Sequence, residues 1–190
     1  MKKILAIFFV CLMAVMPTVA QDMSSEPGFG VRAQGECTFM GKNEGGNLWG
    51  GQVGGFFRNF YRRSSFYSEI QLSAYYLGRG SNNDLAPLGI KEWGLSLLPM
   101  GGYNFELGGN SSIDAFFGPD LRYSLSYKNN DGMSLINEGK DRFNLRVALG
   151  ARYNYKRLQA SLVGNFWVLR GSERIKDNNF ALAVGVGYVF

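Results

Sequence analysis

In the stretch Asn179 to Phe190, alternate positions are large and apolar (Phe180, Leu182, Val184, Val186, Tyr188, Phe190) and most of those between are small (Asn179, Ala181, Ala183, Gly185, Gly187). Only Val189 breaks the rule. A period of two is that of a β-strand whose two faces meet different surroundings. Here the bulky face suits hydrocarbon and the small face suits the crowded interior of a narrow barrel. Such a strand, with nothing after it to cover it, has to close a ring.

The same period predicts seven earlier strands. Strand 1, Phe29 to Met40, sets Phe29, Val31, Ala33, Cys37 and Phe39 outward against Arg32, Gln34, Glu36 and Thr38. In strand 2, Leu48 to Phe60, Trp49, Val53 and Phe57 oppose Gln52 and Arg58, while several glycines and Phe56 blur the pattern. Strand 3 opposes Phe66, Ile70, Leu72, Ala74 and Tyr76 to Tyr67, Glu69, Gln71, Ser73, Tyr75 and Arg79. Strand 4 carries Trp93, Leu95, Leu97, Pro99, Tyr103 and Phe105 against Glu92, Gly94, Ser96, Gly102 and Asn104, with Leu98 and Met100 as exceptions. Strand 5 alternates Ile113, Ala115, Phe117, Pro119, Leu121, Tyr123, Leu125 and Tyr127 with Asp114, Gly118, Asp120, Arg122, Ser124, Ser126 and Lys128; Phe116 is out of place. Strand 6 opposes Phe143, Leu145, Val147, Leu149, Ala151, Tyr153 and Tyr155 to a face rich in arginine, including Arg142, Arg146 and Arg152. Strand 7, Leu158 to Leu169, turns Leu158, Ala160, Leu162, Phe166 and Val168 outward.

Long polar connections alternate with short turns, and the strand number is even, about eight, as in bacterial up-and-down barrels. Both termini then lie at the short-turn end. This order gathers Phe39, Trp49, Tyr76, Trp93, Tyr127, Phe143 and Phe180 near the long loops. Phe29, Phe57, Phe66, Tyr103, Phe105, Tyr153, Tyr155, Tyr188 and Phe190 gather near the short turns. Two aromatic girdles with aliphatics between them mark the two interfaces of a bilayer. A soluble lipocalin-like barrel would reverse the faces, placing Asp120, Arg122, Arg146 and Arg152 outside and the aromatics in a lumen too narrow to hold them. The expected fold is therefore all-β: a roughly eight-stranded, antiparallel, up-and-down transmembrane β-barrel.

Composition divides the chain. Lys2 and Lys3, the apolar run Ile4 to Val15, and the small-residue end Thr18-Val19-Ala20 read as a secretory signal peptide over 1–20, leaving a barrel domain over 21–190. Cys11 is no lipoprotein site, because Phe9-Val10 precede it where small residues are needed. Only Cys37 remains in the mature chain, so no internal disulfide forms. The net charge of +5 becomes 5 − 2 = +3 without Lys2 and Lys3, and the basic residues are scattered, which excludes nucleic acid as a partner. After residue 20 no apolar run is long enough for a membrane helix, but a barrel strand needs only ~9–11 residues.

From Phe66 onward the chain carries Glu69-Ile-Gln-Leu-Ser-Ala-Tyr-Tyr-Leu-Gly-Arg-Gly80, Leu97-Leu-Pro99, Gly118-Pro119 and Gly185-Val-Gly-Tyr-Val-Phe190. On these residues, over roughly two thirds of the chain, the sequence resembles the PorT-like outer-membrane β-barrel proteins of the Bacteroidetes. The resemblance implies a small barrel in the outer membrane of a Gram-negative bacterium and, through the family's namesake, a link to secretion. It maps no functional residue. The terminal strand, with Tyr188 and Phe190, is similar to the signal read by the outer-membrane assembly machinery.

Chemistry is limited by the absence of histidine, the usual acid–base group near neutral pH. This disfavours a lipid-modifying enzyme and leaves no catalytic residue to assign. An Asp114–Asp120 carboxylate pair is the remaining option, but charges inside so narrow a barrel have to pair with one another. Arg32, Glu36, Glu69, Asp114, Asp120, Arg122, Arg146 and Arg152 are expected to form an ionic plug centred on Asp120, Arg122, Arg146 and Arg152. No cofactor or metal is expected: one thiol and no histidine leave only carboxylates, and Asn82-Asn83-Asp84 and Asn129-Asn130-Asp131 lack EF-hand spacing. Gly45-Gly46, Gly50-Gly51 and Gly54-Gly55 lack the Lys-Ser/Thr of a phosphate cradle.

The chain thus reads as a monomeric barrel surrounded by outer-membrane lipid, with a structural or adhesive role through its outward loops. The alternative is an accessory subunit of an envelope secretion or assembly apparatus, with envelope protein partners. With Gly108-Gly109-Asn110 as a turn, Leu107 should face Ser111, Phe105 should face Ile113, and Pro99 should face Pro119.

Overall fold

A computed structural model describes residues 28–39, 47–61, 64–79, 89–129, 134, 142–170 and 180–190. The expected signal peptide and most of the four long connections lie outside these residues. The described chain forms eight strands: β1 (Gly28–Phe39), β2 (Leu48–Phe60), β3 (Phe66–Arg79), β4 (Ile90–Gly108), β5 (Ser111–Asn129), β6 (Phe143–Tyr155), β7 (Leu158–Arg170) and β8 (Phe180–Val189). Each pairs antiparallel with its chain neighbours, and β1 pairs with β8 to close the barrel. The seam continues to the last residue, where the Phe190 N–H donates to the Phe29 carbonyl at 2.9 Å.

The up-and-down order puts the four long connections at one end, the loop end, and the β2–β3 connection and turns 109–110 and 156–157 at the other, the turn end. The two faces separate as period-two alternation requires. Trp49 is 65 % exposed and Val186 65 %, whereas Asp114 and Arg146 are fully buried. Apolar side chains cover the outside, and the buried interior is the lumen. Cys37 is half-buried on the outward parity of Val31, Ala33 and Phe39.

Tyr127 departs from the expected outward set. Trp93 pairs with Ser126 and Gly94 with Ser124, so Leu125 is an extra residue on β5, a β-bulge. One extra residue reverses the parity beyond it. Tyr127, opposite Glu92, turns into the lumen and is 8 % exposed. Ser126 and Lys128, expected inward, pair instead with the outward Trp93 and Lys91.

A second bulge alters the β4–β5 turn. Phe105 pairs with Ile113 as expected, but Ser111 pairs with Gly108, leaving Leu107 as the extra residue. Gly108 and Gly109 take φ of +93° and +63°, values that glycine adopts without a Cβ clash. The register of Phe105 runs on unbroken through Gly101–Phe117 and Leu97–Leu121, which places Pro99 opposite Pro119. Between the Leu97–Leu121 and Phe105–Ile113 pairs, pairing lapses only over 98–100 and 118–120, whereas Pro99 still pairs with Ile70 on β3 and Pro119 with Val147 on β6. A hydrogen-bonded pair that lacks both donors loses its own two bonds, and the flanking pairs defined by those bonds go with it. The two proline defects thus fall in one place, and the ladders to β3 and β6 remain whole.

Candidate functional site: the filled lumen

Inward residues on neighbouring strands lie side by side, so each strand contributes its polar face to a common interior. Two charged tiers result. Toward the loop end, Glu36 of β1 accepts from Arg122 Nη2 at 2.6 Å and Arg146 Nη1 at 2.7 Å. Asp120 accepts from Arg146 Nε at 3.0 Å, Arg122 Nε at 3.1 Å and Ser96 Oγ at 2.6 Å. Toward the turn end, Glu69 of β3 gathers three arginines: Arg32 Nη1 at 2.8 Å, Arg58 Nε at 2.8 Å and Arg152 Nη1 at 2.9 Å. Asp114 lies 3.1 Å from Arg58 Nη1 and 3.3 Å from Arg152 Nη1, and accepts from Asn104 Nδ2 at 2.6 Å. Nearer the loop end than either tier, Glu92 accepts from the Tyr75 hydroxyl at 2.7 Å and Ser124 Oγ at 2.6 Å.

An apolar layer separates the tiers. Along β5 the inward order is Asp114, Phe116, Gly118, Asp120, and Phe116 clusters with Leu98, Met100, Ala148, Val163 and Ala183. Leu98, Met100 and Phe116, which interrupted the sequence pattern, are inward residues of this layer.

The expected lumen residues are all buried, but they divide between the tiers. Glu36, Asp120, Arg122 and Arg146 form one; Arg32, Glu69, Asp114 and Arg152 belong to the other, so Arg152 does not join Asp120. Arg58, inward by its parity but absent from the expected network, binds both carboxylates of its tier. Asp114 and Asp120 stand in different tiers, each held by its own arginines, so they do not form an acid–base dyad. Among the described residues, with Glu92 included, the buried charges are Arg32, Arg58, Arg122, Arg146 and Arg152 against Glu36, Glu69, Glu92, Asp114 and Asp120, five of each sign. That balance is what an interior without bulk water demands. Among the described residues no group of three or more His, Cys, Asp or Glu is placed to hold a metal ion.

Each lumenal arginine also lies over a ring. Arg32 sits 4.4 Å from the Phe56 centroid, Arg58 4.5 Å from Tyr67, Arg122 4.6 Å from Tyr75, Arg152 4.8 Å from Phe116 and Arg146 5.1 Å from Trp167. A guanidinium over an aromatic face gains from the ring quadrupole, more so where water is excluded. Four of these rings have a cross-strand glycine as neighbour: Phe56 with Gly30, Tyr67 with Gly102, Tyr75 with Gly94, and Phe116 with Gly150. A Cβ on any of these glycines would come within 3 Å of the ring, at 2.3 Å for Gly30 and 2.4 Å for Gly102. The glycines make room for the rings, and the rings support the arginines. The signal in the sequence is an inward aromatic whose cross-strand partner is glycine, and it can be read only once the pairing is known.

Tyr188 and Phe190 lie on the outer face at the turn end, 37 % and 70 % exposed, with ring centroids 5.6 Å apart. Arg157 donates to the Tyr188 hydroxyl at 3.4 Å.

No protein-family model matches the chain, and no curated protein matches it. Solved structures do. Neisserial surface protein A (NspA) aligns over 87% of this chain and 98% of its own at 15% identity, with a TM-score of 0.53. Ail, the attachment invasion locus protein of Yersinia pestis, aligns over 88% and 100% at 15% identity, with a TM-score of 0.48. The N-terminal β-barrel domain of Pseudomonas aeruginosa OprF aligns over 86% and 97% at 14% identity, with a TM-score of 0.44. At such identities the likeness to NspA is one of fold, and that fold is a closed, antiparallel, eight-stranded barrel.

Proposed function

We propose that the chain is a small outer-membrane barrel of a Gram-negative bacterium, exported by its signal peptide, with a plugged lumen and a non-enzymatic structural or adhesive role at its loop end. The observation that carries this reading is the inversion of the two faces. The outside is apolar around the whole ring, the solvent preference of a lipid-embedded wall, while the charged groups are paired inside. A lumen filled by arginine–carboxylate tiers leaves the loops as the exposed working surface. Outer-membrane lipid is then the immediate partner, and the assembly machinery would read Tyr188 and Phe190.

The resemblance to PorT-like proteins favours a second reading, an accessory subunit of an envelope secretion apparatus that engages partners through the turn end. The two readings separate on co-purification from gently solubilised membranes: a lone barrel supports the first, and a stoichiometric envelope complex supports the second. The plug is tested by planar-bilayer recording, where the native barrel should give no steady conductance; a large, steady current overturns it. A water-soluble maleimide should label Cys37 slowly in the folded barrel and quickly after unfolding. Rapid labelling of the folded form would count against a lipid-facing wall.

A further inference from the structure

The outer wall carries a trough of about 610 Å³ at the turn end of β3, β4 and β5, within the size range of small-molecule sites. Its bed is Gly101, whose outward side is open, with no atom within 4 Å of where a Cβ would stand. Phe66 and Tyr103, in edge contact with centroids 4.9 Å apart, form one bank. Phe117, 64 % exposed, forms the other, and Ala115 lies between.

Sequence and register explain the depression. Gly101 pairs with Ser68 on one side and Phe117 on the other, so small residues adjoin large rings at one level of the wall. The neighbouring Gly102 gives up its inward side to the Tyr67 ring, which backs the trough from the lumen. The β2–β3 turn closes the lower end. The Ser65 carbonyl accepts from Asn104 N–H at 2.7 Å, which holds the turn against β4, and Tyr61 and Ser64 complete the lining. The trough is therefore apolar toward the middle of the wall and hydroxyl-bearing toward the turn.

We infer that this trough seats one acyl chain of a periplasmic-leaflet phospholipid, with the ester end toward Tyr61 and Ser64. The inference rests on the outer-membrane reading above. Three features select this occupant. The trough is continuous with the apolar outer face, so a lipid chain reaches it by lateral diffusion. It is one residue wide between rings, which suits a single chain rather than a helix. Its polarity gradient follows that of a phospholipid, with methylenes toward the wall's centre and ester oxygens, which only accept, beside hydroxyl donors.

The test uses the full-length barrel in nanodiscs of phosphatidylethanolamine doped with a diazirine-acyl analogue of the same lipid. Photo-crosslinks should concentrate on peptides containing Phe66, Tyr103 and Phe117. Gly101→Leu fills the bed and should lower that yield about tenfold, the change expected on losing one or two methylenes' worth of apolar contact. Gly35→Leu, at an outward glycine of β1 with comparable open space, should leave the yield unchanged. Ala115→Leu fills the trough from β5 and serves if Gly101→Leu does not show the mobility of the folded barrel. Crosslinks spread evenly around the wall, or a yield indifferent to both fillings, overturn the site while leaving the membrane reading intact. Crosslinks absent even at Val53 and Leu162 overturn the membrane reading itself. A second protein chain captured at Tyr103 in place of lipid overturns the choice of occupant.

Discussion

Pro99 of β4 stands opposite Pro119 of β5, so the two residues of the wall that can donate no backbone hydrogen bond share a single gap in a single ladder. A closed barrel has no edge strand on which to place a proline. Confining both to one pair keeps the cost to one level of one seam.

Replacing both prolines by alanine should close that gap. Amides at 99 and 119 should then exchange slowly with solvent, and the barrel should gain about 0.5–1.5 kcal/mol for each bond restored. Hydrogen exchange and urea unfolding in lipid vesicles measure the two effects. Fast exchange at both positions would mean that something other than the missing donors holds the strands apart.

Asp120→Ala should be among the most harmful single changes in the loop-end tier. It leaves Arg122 and Arg146 sharing Glu36 alone and strands Ser96 without its acceptor. Unpairing a buried ion pair costs about 3–5 kcal/mol. A smaller loss in vesicle-based urea titrations would indicate that water reaches the tier. Replacing Glu36, Asp120, Arg122 and Arg146 together by apolar residues of similar volume should be better tolerated than Asp120→Ala, because no charge is then left alone.

Gly102→Val places a branched side chain where the Tyr67 ring lies, 2.4 Å from the would-be Cβ. Moving the ring also withdraws the face on which Arg58 rests. Overpacking costs about 1–3 kcal/mol, and the companion change Tyr67→Ala should recover the packing part but not the arginine's contact. Heat-modifiable electrophoretic mobility would report the fraction folded. An unchanged single variant would mean that the ring has another place to go.

Lys156 is the non-glycine residue with left-handed backbone among those described, at φ 52° in the two-residue turn between Tyr155 and Leu158. An L-residue pays roughly 1–2 kcal/mol for that conformation, and glycine or asparagine much less. Lys156→Gly should therefore stabilise the barrel by up to about 1 kcal/mol, read as slower unfolding of the β6–β7 hairpin. Destabilisation would show that the lysine's cation contact with the Tyr155 ring, at 5.6 Å from the centroid, outweighs the strain.

The strands are legible because a wall with an apolar outer face on one side and a packed lumen on the other imposes alternation on nearly every residue. Legibility failed where a local insertion carried no compositional mark. Leu125 sits among Ser124, Ser126 and Tyr127 with no glycine or proline to announce a bulge, so uninterrupted alternation puts Tyr127 on the face opposite to the one it occupies. Inward parity alone could not say which carboxylate meets which arginine. Arg32 reaches Glu69 across β2, and Arg146 reaches Glu36 across β7 and β8, and such partners emerge only when the ring closes. Parity turns Arg58 inward, but its tie to Glu69 and Asp114 depends on the same closure. Phe56 and Phe116 interrupt the alternation because their justification, an opposing glycine and an overlying guanidinium, is carried by other strands.

The ties across the lumen have a mechanical consequence. Backbone pairing joins each strand only to its neighbours, and a hoop built that way can flatten into an ellipse without breaking a bond. Glu36 to Arg122, a span from β1 to β5, and Arg152 to Glu69, from β6 to β3, act as spokes across that hoop. They set its cross-section and make the wall stiff against lateral pressure, so the strand ends at the loop-end rim keep their spacing when the wall is squeezed.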